Sequence, residues 1–252
     1  MNSKYTIALT GAGMSTESGI ADYRGPDGVW TKDPEAEKRA YTSYKRFTED
    51  PKGWWEERLI RMSTHKSNYE DAAPNSGHYA LVELENMGIL KCVSTQNIDA
   101  LHEKAGIKNL FEYHGSIAKL RCISCNLRFN REGFELEKFT KNGQLPPRCP
   151  ECNGIIKSDV VEFGEPIPSD VAEKSMVEAQ KCDLMLICGT SAVVYPFASL
   201  PIVAKQRGVA TIVEINAELT PLTTEHISNY ILQGKTGEIL PKIVEEVKRL
   251  KE

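Results

Sequence analysis

Five groups of residues have the types and spacing that chemistry requires. The run Ser94-Thr95-Gln96-Asn97-Ile98-Asp99 combines amides, whose donors and acceptors match a carboxamide or a ribose, with a carboxylate able to hold an amide or a developing cation. A polar turn capping the next helix is the alternative for this run. His114-Gly115 supplies a histidine, the natural general base near neutrality for a sugar hydroxyl, although a lone histidine is often structural. Gly11-Ala12-Gly13 leads through Ser15 to Asp22-Tyr23-Arg24-Gly25, and Gly189-Thr190-Ser191 offers hydroxyls and free amides. Asn216 suits an adenosine ribose. Each of these last two could also be a plain strand-to-helix turn.

The glycine turn follows the short apolar run Tyr5 to Leu9, so it reads as strand, turn and helix start. Glycines there let the backbone turn tightly and approach a ligand, and amides at a helix start face an anion. A packing turn alone has no need of an acid, an aromatic ring and an arginine directly afterwards, whereas a site for a charged, aromatic dinucleotide does.

Cys122-x-x-Cys125 and Cys149-x-x-Cys152 form two knuckles. Each places two thiolates on one side of an ion, and together they complete a tetrahedron, so a zinc ion is expected. A redox pair would need only one knuckle. Four thiolates leave no open coordination position, which makes the zinc structural. Cys92, Cys182 and Cys188 lie in apolar runs and read as buried small hydrophobes. Of the other histidines, His65, His78 and His226 are assigned no chemistry, and His102 is placed as a cap or packing partner beside Asp99.

The elements that must position these groups alternate. Apolar, β-rich runs at Tyr5 to Thr10, Leu90 to Thr95, Asp183 to Cys188, Thr211 to Ile215 and Tyr230 to Leu232 resemble buried parallel strands. Helical patterns at Gly77 to Asn86, Ser169 to Lys181 and Gly237 to Glu252 lie between or after them. This alternation predicts an α/β fold, a doubly wound parallel sheet with its ligand at the carboxyl ends of the strands. Thr31 to Pro74 breaks the pattern and is expected to form a helical insert whose aromatics mostly pack its own core.

The chain has 252 residues, 40% of them hydrophobic, enough for a sizeable core. A net charge of −4 argues against tight nonspecific nucleic-acid binding. No apolar stretch nears the roughly 20 residues of a membrane span. Seven cysteines, four of them in tight pairs, favour metal over disulfides and a reducing, cytoplasmic setting.

Taken together, these residues resemble the sirtuins, NAD-dependent protein-lysine deacylases. The resemblance spans nearly the whole chain: Gly11-Ala12-Gly13-x-Ser15-x-x-Ser18-Gly19-Ile20-x-Asp22-x-Arg24-Gly25, Thr95-Gln96-Asn97-Ile98-Asp99, His114-Gly115, both cysteine pairs, Phe163-Gly164-Glu165, Gly189-Thr190-Ser191 with Val193-Val194-Tyr195-Pro196, and Asn216. It implies a Rossmann-like domain from 1–30, 75–118 and 158–252, with a small domain made of the helical insert 31–74 and a zinc-ribbon module 119–157. NAD would be a consumed co-substrate: nicotinamide leaves, the acyl oxygen of the lysine attacks the exposed ribose carbon, and free lysine and O-acyl-ADP-ribose result. His114 would be the base, Asn97 would orient the ribose and a water, and Asp99 would hold the carboxamide. Gly11, Ala12, Gly13, Ser15, Asp22, Tyr23, Arg24, Gln96, Ile98, Gly189, Thr190, Ser191, Asn216 and Thr236 would line the dinucleotide site. Val161, Phe163, Gly164 and Val193 would hold the acylated peptide as an added strand.

Members that prefer acidic acyl groups carry Tyr-x-x-Arg in the insert. Here the nearest counterpart is Arg58-Leu-Ile-Arg61, without the tyrosine, and Ala21, Tyr23, Glu162 and Ala192 also depart from the usual residues. The missing tyrosine makes deacetylation the expected activity. Two alternatives stay open: a mono-ADP-ribosyltransferase using the same cleavage, and a non-catalytic NAD or ADP-ribose reader. A hydride-transferring dehydrogenase fits less well, because no acid ends a clear second strand about 20 residues after the glycines.

Overall fold

The structure is a computed structural model and describes residues 3–64, 69, 71–134, 136, 139 and 143–251. His65 and parts of the 31–74 and 119–157 segments lie outside the described residues.

A six-stranded parallel sheet forms the centre, in the order β3-β2-β1-β7-β8-β9. Its strands are β1 (Thr6–Thr10), β2 (Leu90–Thr95), β3 (Leu110–Glu112), β7 (Leu184–Cys188), β8 (Thr211–Asn216) and β9 (Tyr230–Gln233). Every residue of β1 is buried, as a central strand covered on both faces must be. Helices α4 (Ser76–Asn86) and α9 (Thr236–Arg249) cover one face: Leu81, Leu84, Leu240 and Val244 join Ala8 and Val93 in one cluster. Helices α6 (Ser169–Lys181) and α7 (Ser199–Gln206) cover the other, where Val171, Ala179, Leu200 and Ala204 meet Ile7 and Leu9. Register aligns Thr10 with Thr95 on one side and Cys188 on the other, so the loops after these strands leave from one edge.

Three antiparallel strands, β4 (Lys119–Cys122), β5 (Arg128–Asn130) and β6 (Ile156–Ser158), form a second sheet in the order β5-β4-β6. Helices α2 (Pro34–Glu49) and α3 (Pro51–Thr64) pack on it through Phe47, Trp54 and Trp55. The Trp55 indole N–H donates to the Ile156 carbonyl at 2.9 Å, satisfying a buried donor that aromatic packing alone would strand. These aromatics build a core, as their composition suggests. Tyr41, by contrast, is exposed.

Three sequence expectations need correction. The glycine turn is followed by two 3-10 turns, Ala12–Met14 and Thr16–Ser18, not by an α-helix start. The Gly13 amide is held by the Gly189 carbonyl at 2.8 Å, and Gly19 turns left-handed at φ 83°, so too few residues remain to nucleate a longer helix. The sheet also gains β3, a three-residue strand too short and too evenly half-buried to show a period. Asp183 falls just before its strand because its carboxylate takes the Lys4 and Tyr5 amides instead.

Candidate active site

The loops leaving β1, β2, β7 and β8 meet in one hydrogen-bonded web. Asn97 Nδ2 donates to the Gly11 carbonyl at 2.9 Å and to Ser15 Oγ at 3.1 Å, and Ser15 Oγ donates to Asp99 Oδ2 at 2.7 Å. Asp99 Oδ1 accepts the Leu101 amide at 2.8 Å, so Asp99 also caps the following helix α5 (Leu101–Ala105). The capping reading of this carboxylate is therefore met by Oδ1, while Oδ2 faces Ser15. Gln96 Nε2 donates to Thr190 Oγ1 at 2.8 Å, and Asn216 Nδ2 reaches the Thr190 carbonyl at 3.4 Å.

Glycine is required where β1 and β7 end. A Cβ on Gly13 would lie 2.9 Å from Gly189 Cα, and one on Gly189, at φ 60°, 2.3 Å from the Met14 nitrogen. The two loops therefore touch backbone to backbone, with the Gly11, Gly13 and Gly189 amides held by the Cys188, Gly189 and Ile215 carbonyls.

His114 Nδ1 lies 3.2 Å from the Gln96 carbonyl. A carbonyl only accepts, so Nδ1 carries the hydrogen and Nε2 keeps its lone pair. Burial lowers the His114 pKa, with the Gln96 bond opposing in part, so the ring is neutral at pH 7. The next residue must be glycine: at φ 72°, a Cβ on Gly115 would sit 2.0 Å from the Asp159 carbonyl oxygen. The Val161 amide returns to the His114 carbonyl at 2.8 Å, which ties His114 to the Val161–Gly164 segment.

A void of about 10 Å³, at the lower limit for a single water, lies among Ala12, Ser15, Tyr23, Asn97, Ile98 and Asp99. Tyr69 completes its wall and hydrogen-bonds to the Tyr23 phenol. The Tyr23 pKa is raised, with Tyr69 and Asp99 close by, so the phenol stays protonated. Tyr69 was not singled out in the sequence, where nothing marks it among the polar residues around it. Outside this void a cleft of about 1290 Å³ opens between α2, α3, the small sheet and the Ile98–Ala100 turn. Arg58, Arg61, Asp99 and Glu162 face it.

The other expected residues are placed as follows. The Asp22 carboxylate accepts the Gly25 amide at 2.9 Å, while Arg24 lies 4.6 Å over the Trp30 ring and 3.6 Å from Glu37. Thr236 opens α9, and its buried hydroxyl has no partner among the described residues. Ser191 and Val193 are exposed, Gly164 is left-handed at φ 84°, and the Phe163 ring packs 4.4 Å from that of Tyr41. His102 is not a cap for Asp99: its Nε2 pairs with Thr10 Oγ1 at 2.9 Å and its ring packs 4.7 Å from that of His78.

The four knuckle sulfurs lie within 4.8 Å of one another, with Cys122–Cys152 at 3.4 Å and Cys125–Cys149 at 3.8 Å. A zinc ion about 2.3 Å from each of four sulfurs needs tetrahedral edges of about 3.8 Å, so the donors fit. Burial raises the Cys122 thiol, but the Cys125 and Ser124 amides more than offset it and bring it to about 7, toward the thiolate a metal needs. The other three cysteines are buried, as expected.

Comparison with known proteins agrees with this geometry. A family model described as the Sir2 family matches residues 11–196. The NAD-dependent protein deacylase 1 of Archaeoglobus fulgidus is 44% identical over 247 residues, covering 98% of this chain and 94% of that protein. The NAD-dependent protein deacetylase of Sulfurisphaera tokodaii is 42% identical, covering 98% and 93%. Among solved structures, a Sir2 homologue in complex with NAD superposes with a TM-score of 0.78 at 41% identity, covering 100% of this chain and 92% of that one.

Proposed function

The chain belongs to the Sir2 family, and from that premise we propose that it is an NAD-dependent protein-lysine deacylase, acting in the cytoplasm on acetylated lysines. The observation that carries this reading is the unbroken web from Gly11 through Asn97 and Ser15 to Asp99, beside a neutral His114 with its Nε2 free.

NAD, when bound, supplies an activated bond from ribose to nicotinamide whose cleavage exposes an electrophilic carbon. This chain's residues do the rest. Asn97 orients the ribose, Asp99 holds the carboxamide beside the small void, and His114 Nε2 takes a proton from a ribose hydroxyl. Gly11, Gly13 and Gly189, whose own amides are held by the Cys188, Gly189 and Ile215 carbonyls, let the phosphates approach the backbone closely, and the Thr190 hydroxyl can donate to them, with Gln96, Asn216 and Thr236 around the remainder. The helix and zinc modules at 31–74 and 119–157 form the opposite wall, so the acyl-lysine meets NAD in the cleft between them and the segments 1–30, 75–118 and 158–252. Val161, Phe163, Gly164 and Val193 hold the peptide. The zinc keeps the small sheet in shape and takes no part in the reaction.

Acetyl is favoured over succinyl because Arg58 is already engaged. Its Nη1 lies 4.0 Å from Glu162, its Nη2 donates to Ser158 at 3.0 Å, and its guanidinium lies 5.0 Å from the Trp54 ring centroid.

Mass spectrometry after incubation with NAD and an acetylated peptide tests the reading. Free lysine, nicotinamide and O-acetyl-ADP-ribose are expected. A protein or peptide gaining ADP-ribose would instead indicate a transferase, and binding without any product would indicate a reader.

A further inference from the structure

Four ionised side chains lie buried together behind the peptide segment, far from any role yet described. Arg121 on β4, Lys157 on β6, Asp159 and Glu165 have side chains 5%, 0%, 1% and 4% exposed. Arg121 Nε donates to Asp159 Oδ1 at 3.0 Å and its Nη2 to Glu165 Oε1 at 2.6 Å. Lys157 Nζ lies 2.9 Å from Glu165 Oε2. Arg128, at the edge of the cluster, also donates its Nε to Asp159 Oδ1 at 3.1 Å and pairs with Asp170 at 3.0 Å, so the charges balance, but burying the inner four costs more than apolar residues of similar volume would, and stability alone is a weak reason for the cluster.

Its hydrogen bonds to backbone suggest another reason. Lys157 Nζ donates to the Val160 carbonyl at 2.5 Å, and Glu165 Oε2 accepts the Glu162 amide at 3.0 Å. Asp159 Oδ2 accepts the Ser116 amide at 3.2 Å, two residues beyond His114. The cluster therefore holds the Val160–Glu162 backbone on one side and the base-bearing turn on the other. The Val161 carbonyl and the Phe163 amide make no hydrogen bond to another described residue, so they are open to an incoming strand.

We propose that the buried Lys157–Glu165 pair, anchored by Arg121 and Asp159, is a positioning element for the acyl-peptide: it fixes the Val160–Gly164 backbone so that its free groups meet the substrate strand beside His114. The inference rests on the deacylase reading for the identity of the peptide. It also makes the small sheet, through β4 and β6, a determinant of peptide affinity and not of NAD affinity.

The test uses the full zinc-loaded chain, with peptide affinity read by fluorescence anisotropy on a labelled acetyl-lysine peptide, independently of turnover. The double variant Lys157→Met/Glu165→Leu removes one charge of each sign, so the net charge of the cluster is unchanged and Arg121 and Arg128 keep Asp159. It is expected to keep a melting temperature close to the wild type while the peptide Kd and KM rise about 10-fold or more, the equivalent of one charge-assisted hydrogen bond, and the NAD Kd and kcat stay within about twofold. An unchanged peptide Kd, or an equal weakening of peptide and NAD, would overturn the proposal. A second charge-balanced variant, Lys157→Gln/Glu165→Gln, keeps the polar shape of both side chains and should weaken the peptide in the same selective way, with unchanged affinity again counting against it. Wild-type chain that binds the peptide but does not turn it over would refute the deacylase reading alone.

Discussion

Replacing His114 by alanine should separate two stages of one reaction. The wild-type ring has its Nδ1 hydrogen fixed on the Gln96 carbonyl at 3.2 Å, so Nε2 is the atom that can take a proton. A positioned base of this kind contributes about 10²–10⁴-fold, and His114→Ala should slow deacylation by that order. The ring also packs edge-on to Tyr113, centroids 5.7 Å apart, and lies 6.5 Å from Phe197. Losing such contacts costs about 1 kcal/mol, or about 2–4 °C in melting temperature for a chain of this size. Nicotinamide exchange, measured with labelled nicotinamide and acetylated peptide, should persist, because Asn97 and Asp99 serve the bond that breaks first. In the wild type, kcat/KM should fall as pH drops through the His114 pKa, which burial holds below 6.5, since only the neutral ring is a base. That acid limb should vanish in the variant. Equal loss of exchange and deacylation in a variant destabilised well beyond a few degrees would show that His114 is a packing residue and remove it from the mechanism.

Metal analysis should find one zinc per chain, and Cys149→Ala should release it and cost about 4 kcal/mol or more of stability; active protein without zinc would refute the site. Stability should fall on acidification from pH 6.5 to about 4, because burial lowers the His78 pKa from 6.5 to about 4 and the unfolded chain takes up the proton first. At about 1.4 kcal/mol per pH unit the loss is about 3 kcal/mol, with buried His102 acting in the same direction, and urea unfolding at several pH values would reveal a flat profile if this is wrong. Acetyl-lysine peptide should give a higher kcat/KM than succinyl-lysine peptide while Arg58 stays paired with Glu162, and the reverse order would show that the arginines of the cleft read an acyl carboxylate.

The parallel strands were readable because each is an apolar run between turn residues, and the burial of β1 on both faces leaves no polar residue to confuse it. The site loops were readable because register forces whatever follows β1, β2, β7 and β8 to one edge of the sheet. The two cysteine knuckles announced their geometry through spacing alone. What escaped was tertiary. The 3-10 turns after Gly11 depend on the Gly189 carbonyl, 176 residues away, and the buried partners of Arg121 and Lys157 look in sequence like ordinary surface charges. Asp99 could be read as a cap or as a chemical group, and only the distances to Leu101 and Ser15 show that one oxygen caps the helix while the other joins the web at the crevice.

The position of β1 between β2 and β7 carries a consequence for the order in which the molecule assembles. Thr10 pairs with Cys188 across almost the whole intervening chain, whereas the β4, β5 and β6 strands and all four knuckle cysteines fall within Lys119–Ser158. Closing so distant a pairing is slow, and nearby pairings form sooner. During synthesis the zinc sheet can therefore be complete while one wall of the dinucleotide crevice is still missing, since Gly189 and Asn216 emerge only afterwards. Pulsed hydrogen exchange during refolding should accordingly protect β4 and β6 before β1, and the nascent chain should acquire its metal before it can hold its nucleotide.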